Sequence, residues 1–424
     1  MRVCAPSYIE PMLILHTSDW HLGRTFHGVD ILDVQARAMG EIVDWVRRYG
    51  VDVVLVAGDV YDRAQPRTEV VELLNTTLAQ IREAGAYVVL TSGNHDSPAR
   101  LGFGSRIMAH GGVFLLTTLE GSARPVLFSE SSSGGITATR VEMAGQGTGG
   151  RTAAQLPSTG DDAAVLAVYG IPYLDPRATA PLLDCTPTHQ AVLGAVMHRV
   201  DEDRASRGSP ASVVMAHAFV TGSEASDSER VVDSGGLGTV SAQVFAAHDY
   251  AALGHIHRRQ RITETVRYSG SPVAYSFSEA THAKGAWLVT VGGNGVDDVV
   301  PLDHRAGLRL ARLRGSLESL LSDHALAPSE DAWCQVVLTD VERPASAMER
   351  VRTRFPRTVE LRWEPDGGRA STERDYGARL AEATTTEELC AQFYQHVRSR
   401  ALTAQESAEI SDVVSVVQSR GVEQ

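Results

Sequence analysis

Residues 12–24 read MLILHTSDWHLGR, a short apolar run that passes directly into Asp19-Trp20-His21. A run of this length fits a strand buried on both faces, with the polar residues falling in the loop at its C-terminal end. The pattern recurs twice. Residues 51–57 (VDVVLVA) lead into Gly58-Asp59-Val60-Tyr61-Asp62, and residues 86–91 (AYVVLT) lead into Gly93-Asn94-His95-Asp96. Between these runs, Ile31, Val34, Ala38, Ile42, Trp45, Val46 and Tyr49 recur at helical spacing over 30–49, and Gly50 stops that helix. Residues 68–83 read as a second helix. Strand and helix alternating over the first 90 residues predict an α/β fold with parallel strands. In such sheets ligands sit in the loops beyond the carboxyl ends of the strands.

Further strands are predicted at 163–169, 211–216, 249–253 and 285–291. Two of them also end in reactive side chains: His217 follows the second, and Gly254-His255-Ile256-His257 follows the third. Residues 129–160 are rich in Ser, Gly and Thr and predict a solvent loop or insertion. The stretch 301–306 (PLDHRA) predicts a junction between a domain over 12–304 and a small α+β domain over 305–366. The latter is expected to hold strands at 307–314, 332–339 and 357–363, with helices near 315–322 and 344–354. A helical tail over 385–420 carries Leu389, Phe393, Val413 and Val417 among other apolar residues. Residues 1–11 lack an apolar core of the signal-peptide type and are expected to be a disordered extension or an incorrectly assigned start.

The chain has 424 residues, which at about 100–200 per domain implies two or three units. No apolar run reaches the roughly 18 residues that a spanning helix requires. Cys4, Cys185, Cys334 and Cys390 lie far apart, so no disulfide framework is expected and a reducing cytosol fits. The net charge of −13 argues against coating nucleic acid by bulk charge alone.

Taken singly, each polar cluster has an ordinary reading. Asp-x-His is common, Gly-Asp is most often a turn, and Asn-His-Asp before Pro98 fits an Asx-turn with a helix cap. The conjunction is what matters: five strand ends present carboxylate, imidazole and amide groups, and no cysteine lies near them. Mixed nitrogen and oxygen donors suit first-row divalent ions, and two such ions sharing a bridging ligand clamp a phosphate opposite an activated water.

These motifs (D-x-H, G-D-x-x-D, G-N-H-D, a lone H, and G-H-x-H, in that order) resemble the calcineurin-like metallophosphoesterase superfamily. The stretches 13–24, 53–63, 89–98, 226–230 (SDSER), 253–258 and 266–277 (VRYSGSPVAYSF) are similar, within it, to the bacterial SbcD family. The resemblance implies a metallophosphoesterase β-sandwich flanked by helices, a small α+β capping domain and a helical C-terminal tail. It implies one ion on Asp19, His21, Asp59 and His257, and a second on Asp59, Asn94, His217 and His255, with Asp59 as the bridge. His95 is then the catalytic acid, with Asp96 expected to orient its ring. Asp62 stands where some relatives carry a second histidine.

The same resemblance implies a DNA nuclease needing Mn²⁺, with Mg²⁺ less effective. It would be a 3′–5′ exonuclease on double-strand ends and an endonuclease on single strands and hairpins, serving DNA repair, recombination and replication. The implied partner is the SbcC ATPase, docked on the tail, and the subunit would form a homodimer through helices at 68–83 and 98–110. The implied location is the cytoplasm, near the nucleoid. Arg258, Arg259 and Arg261, directly after the last motif, and Arg305 and Arg309 in a second basic stretch, are candidates for phosphate contact. The motifs alone also fit a stand-alone phosphodiesterase or phosphatase, or a scaffold that has kept its metal loops. The domain at 307–365 and the tail argue against the former, and the intact His95 against the latter.

Overall fold

The computed structural model describes residues 11–131, 135–141, 164–230, 238–292, 295–365, 385–398 and 400–421. The extension over 1–10 and the stretch 142–163, most of the expected insertion, lie outside them. The chain divides into two compact units, one ending at Leu310 and the other beginning at Ala311.

The first unit holds two sheets. One runs in the order Gly295–Asp303, Gly285–Gly292, Met12–Thr17, Val53–Ala57, Tyr87–Thr91, Val113–Leu116. Its last four strands are mutually parallel, as the alternation predicts, and Gly285–Gly292 runs antiparallel to Met12–Thr17. The second sheet runs Gln260–Arg261, Val266–Tyr268, Tyr250–Gly254, Ala211–His217, Ala164–Ile171, Val126–Ser131, Gly135–Arg140. The sheets face each other across an apolar layer. Ile14, Val53, Leu55, Val89 and Phe114 from one sheet meet Phe128, Leu166, Val168, Val213, Met215 and Tyr250 from the other. Alternate residues of the same strands point outward. Ala167, Tyr169, Val214, Ala251 and Leu253 pack on Leu193, Val196, Met197 and Val200 of helix His189–Ser206. On the other side, helix Thr68–Glu83 lies beside helix Leu32–Tyr49 and against strand Tyr87–Thr91. The result is a β-sandwich flanked by helices, with strands buried on both faces, which is why they read as unbroken apolar runs.

Several expectations need correction. Residues 126–131 and 135–140 form an antiparallel hairpin at the edge of the second sheet, so part of the expected 129–160 loop is strand. Its outer strand alternates exposed and half-buried positions with small side chains such as Thr137 and Ala138, which hides the apolar signal. Residues 295–303 form the edge strand of the first sheet, so the expected junction at 301–306 begins inside that sheet. The single helix expected at 98–110 is two short ones, Pro98–Leu101 and Ser105–His110. Gly104 caps the second in the left-handed conformation (φ 74°), which breaks the run.

The second unit holds a three-stranded sheet in the order Leu310–Gly315, Trp333–Leu338, Thr358–Trp363. Helices Leu317–Ser322 and Ala347–Arg352 contribute Leu317, Leu320 and Val351 to a core with Leu313, Cys334, Val336, Leu338 and Phe355. Further along lie helices Thr386–Arg398 and Ala404–Gly421. No helix among the described residues is long and apolar enough to cross a membrane.

Candidate metal centre

All five motif loops leave the C-terminal ends of parallel strands, three in the first sheet and two in the second, and they converge at one end of the sandwich. Asp59 is the meeting point. Its Oδ2 lies 3.4 Å from Nε2 of His21 and 3.4 Å from Nε2 of His217. Around His21, the Nε2 of His257 lies at 3.0 Å. Asp19, His21 and His257 have ligand atoms within 4.8 Å of one another, as do Asp19, Asp59 and His217. Around His217, Asn94 Oδ1 lies 3.0 Å from Nε2, and His255 Nδ1 lies 3.2 Å from that same oxygen. The seven side chains therefore form two clusters that share Asp59.

The backbone is bent to bring them there. Asp19 (φ 52°), His21 (φ 42°), Asp59 (φ 48°) and His255 (φ 102°) all have positive φ. Side chains other than glycine rarely adopt that region, and residues held there cluster at functional sites. Packing around the loops is equally tight. A Cβ at Gly93 would overlap the Asp59 carboxylate, and one at Gly254 would overlap the carbonyl oxygen of Ala57. This accounts for the glycine that opens each of those two motifs.

Proton inventories show that the clusters want a cation. His217 Nδ1 lies 3.0 Å from the carbonyl oxygen of Ala57, which can only accept, so Nδ1 carries the hydrogen. Its Nε2 then turns a lone pair toward two oxygens, on Asn94 and Asp59. Only a proton or a metal ion satisfies that convergence. Burial works against the proton, yet the Asp59 charge raises the His217 pKa to about 9. Burial likewise opposes the charge on Asp59, but His217 and His21 outweigh it and hold the carboxyl well below its usual range. Burial pushes Asp19 up to about 6, lowers His255 to about 3, and keeps His21 well below its ordinary value. His21 and His255, held neutral beside these carboxylates, fit a pair of divalent ions.

His95 stands beside the clusters and is half-buried, 4.6 Å ring to ring from His21. Its N–H donates to Asp59 Oδ1 at 2.9 Å, and its Nδ1 donates to the carbonyl oxygen of Asp62 at 2.9 Å. Asp96 does not orient that ring. Its carboxylate accepts from the amides of Val60 (3.1 Å), Tyr61 (2.9 Å) and Gly93 (2.9 Å), tying two motif loops together. Nor does it cap the following helix, whose N-cap is Ser97. Burial and the nearby Asp59 charge raise the Asp96 pKa to about 7. Asp62 therefore takes the place expected of Asp96: its backbone oxygen holds the His95 ring, and its side chain lies 3.7 Å from His21 Nδ1.

Sequence reasoning missed a supporting layer. Ser18 Oγ donates to Asp19 at 2.5 Å, Gln35 Nε2 donates to the carbonyl oxygen of His21 at 2.8 Å, and Tyr275 OH donates to that of Trp20 at 2.5 Å. Only Ser18 and Tyr275 lie in stretches that the sequence singles out. Within the first basic stretch, Arg259 is engaged inside the protein, while Arg258 and Arg261 keep exposed side chains. Arg259, 10% exposed at its side chain, bonds Asp303 and the carbonyl oxygen of Leu302 and sits over Trp287, so its guanidinium is committed within the protein. Arg258 pairs with Glu224 and Arg261 with Glu264. Arg305 and Arg309 are exposed, and the Arg305 amide is bound by Glu41.

The chain belongs to the calcineurin-like phosphoesterase family, whose model matches residues 12–259, the span that carries all five motif loops. A second match, over residues 308–398, is to the type 5 capsule protein repressor C-terminal domain, the C-terminal domain of SbcD proteins. Together they make the chain an SbcD-type member of the superfamily.

Among solved structures, a dimetal phosphatase from Danio rerio is similar at 13% identity, covering 69% of this chain and 99% of its own, with a TM-score of 0.36. The protein TT1561 of Thermus thermophilus gives 9% identity, coverages of 69% and 99%, and a TM-score of 0.35. GAP50, the anchor in the inner membrane complex of Plasmodium, gives 8%, 85% and 99%, and 0.36. The assignment to the family rests on the two sequence matches.

Proposed function

We propose that this phosphoester hydrolase is a two-metal DNA nuclease, a 3′–5′ exonuclease on double-strand ends and an endonuclease on single strands and hairpins. The observation that carries the two-metal reading is the position of Asp59 Oδ2, 3.4 Å from a histidine of each cluster. The choice of DNA is supported by the SbcD-type domain over 308–398, which a stand-alone phosphatase or phosphodiesterase would not need.

Asp19, His21, Asp59 and His257 would hold one ion, and Asp59, Asn94, His217 and His255 the other. Mn²⁺ suits this donor set, with Mg²⁺ as the weaker substitute. When bound, such a pair supplies Lewis acidity to the phosphate and lowers the pKa of water to near neutrality. The protein's own part is orientation and proton transfer. With His95 Nδ1 committed to the Asp62 carbonyl, Nε2 is the atom left to protonate the leaving 3′ oxygen. His95 also lies within ligand reach of His21 and Asp59, so its role needs a direct test. Arg258, Arg261, Arg305 and Arg309 are proposed to meet backbone phosphates, which carry no base specificity.

Two apolar surfaces support the proposed partners. Val71 and Ile107 are exposed on the helices proposed to form a homodimer, as is Phe103 in the turn before Ser105–His110, and Phe393, Val413 and Val417 are exposed on the tail proposed to dock on the SbcC ATPase. Such a complex would act in DNA repair, recombination and replication in the cytoplasm.

The test is to assay the chain, with and without its ATPase partner, on linear duplex, hairpin and bis-nitrophenyl phosphate with Mn²⁺. Hydrolysis of all three is expected. Activity on the small diester but never on DNA would sink the nuclease reading and leave the phosphodiesterase.

A further inference from the structure

The segment SDSER at 226–230 contributes no candidate ligand, yet it lies against the metal centre. Ser228 Oγ is 2.8 Å from His257 Nδ1 and 2.9 Å from Glu279 Oε1. The direction of these bonds follows from counting protons. Lys284 Nζ has three hydrogens and three acceptors: Glu279 Oε2, the carbonyl oxygen of His257 at 2.7 Å, and Ser271 Oγ at 3.0 Å. Paired with that buried ammonium, Glu279 is a carboxylate and can only accept. Ser228 must then give its single proton to Glu279, so its oxygen accepts from His257. Ser226 Oγ, 2.8 Å from Ser228 Oγ, fits as a further donor to it. The hydrogen of His257 is thus on Nδ1, and the lone pair on Nε2 faces His21 Nε2 at 3.0 Å. The backbone of His257 is held as well: Glu229 accepts from its N–H and from that of Ser226, and Lys284 donates to its carbonyl.

We propose that Ser228, backed by Glu279 and Lys284, is the positioning residue that fixes the ring orientation and tautomer of His257, with Glu229 fixing its backbone, so that Nε2 is presented to the ion held with Asp19 and His21. This inference rests on the two-metal reading. Metal-ligating histidines commonly give their other ring hydrogen to such a partner, and losing it costs about 10–100-fold in metal affinity. What this chain adds is a neutral hydroxyl between ring and carboxylate. The ring is held through its hydrogen, while the Glu279 charge is neutralised by Lys284 and is separated from the ring by that hydroxyl.

The experiment is calorimetric titration of the full chain with Mn²⁺ alone, with no substrate present. In Ser228→Ala, one of the two dissociation constants is expected to rise about 10–100-fold and the other to stay put. Ser228→Thr, which keeps the hydroxyl, should restore the wild-type pair of constants. Both constants unchanged in Ser228→Ala, or Ser228→Thr behaving like Ser228→Ala, would overturn the proposal. Glu279→Gln with Lys284→Met removes the backing charges together and should weaken the same ion. A wild-type chain that binds no Mn²⁺, or a single ion, defeats the two-metal reading instead, so the two failures are distinguishable.

Discussion

The two halves of the centre are built to different standards. Asp19, His21 and His257 are buried (0%, 0% and 2% exposed), and each has its own support, in Ser18, Gln35 and Ser228. The other half is looser. Asn94 is only half-buried, His255 is 9% exposed, and the ring of His217 is backed by one carbonyl oxygen, that of Ala57. Preorganisation is therefore concentrated on the first cluster. The second would hold its ion with less help, and it lies nearer to solvent.

The sharpest way to break this comparison is to remove what the halves share. Asp59→Ala should cost both ions at once and about 10³-fold or more in hydrolysis, read by metal analysis and turnover of bis-nitrophenyl phosphate. Retention of either ion at full strength would show that Asp59 does not bridge. His95→Ala should lower nuclease activity by about 10²–10⁴-fold while two Mn²⁺ still bind; loss of an ion would make His95 a ligand. Asn94→Ala is expected to weaken one ion only, the one exchanged more readily by a chelator in the wild type. If chelation strips the Asp19–His21 ion first, the contrast between the halves is reversed.

A smaller effect probes the strands beneath the halves. His16, buried, lies 3.0 Å from the Tyr250 hydroxyl and 3.1 Å from the carbonyl oxygen of Leu253, joining the strand that ends at Asp19 to the one that ends at His255. Burial lowers its pKa to about 3 from an ordinary 6.5. Below pH 6.5 the unfolded chain takes up a proton that the folded chain refuses. Stability from this group is thus complete above pH 6.5 and lost as pH falls toward 3, by about 2 kcal/mol at pH 5. Denaturant titrations at pH 7 and pH 5 should show that drop in the wild type, and a smaller one in His16→Gln. Equal drops would mean that other groups carry the acid sensitivity.

Much of this is legible in the sequence because the strands are buried on both faces and their ends carry the motifs. The five loops and the parallel order follow from runs such as VDVVLVA and the Asp, Asn and His residues after them, whereas the division of those residues into two ligand sets comes from the family resemblance alone. The hairpin at 126–140 is hidden because its outer strand buries little. The role of Asp96 is easily misread because adjacency in sequence suggests a partnership with His95, whereas the carboxylate reaches Val60 and Tyr61, 36 and 35 positions away. Glu279 and Lys284 leave no trace, since nothing in their spacing points back to His257. The left-handed backbone at Asp19, His21, Asp59 and His255 is equally silent, because such conformations are advertised by glycine and here are imposed on other residues.

The three amides gathered by Asp96 have a mechanical consequence. The loop that carries Asp59 and the loop that carries Asn94 and His95 are riveted by one carboxylate, so they move as a single lever. The distance from His95, the proposed proton donor, to Asp59, the proposed shared ligand, is then set by that rivet rather than by the loops' own stiffness. A change that loosened it, Asp96→Ala for example, would leave every ligand in the sequence and still put the acid out of step with the ions it serves.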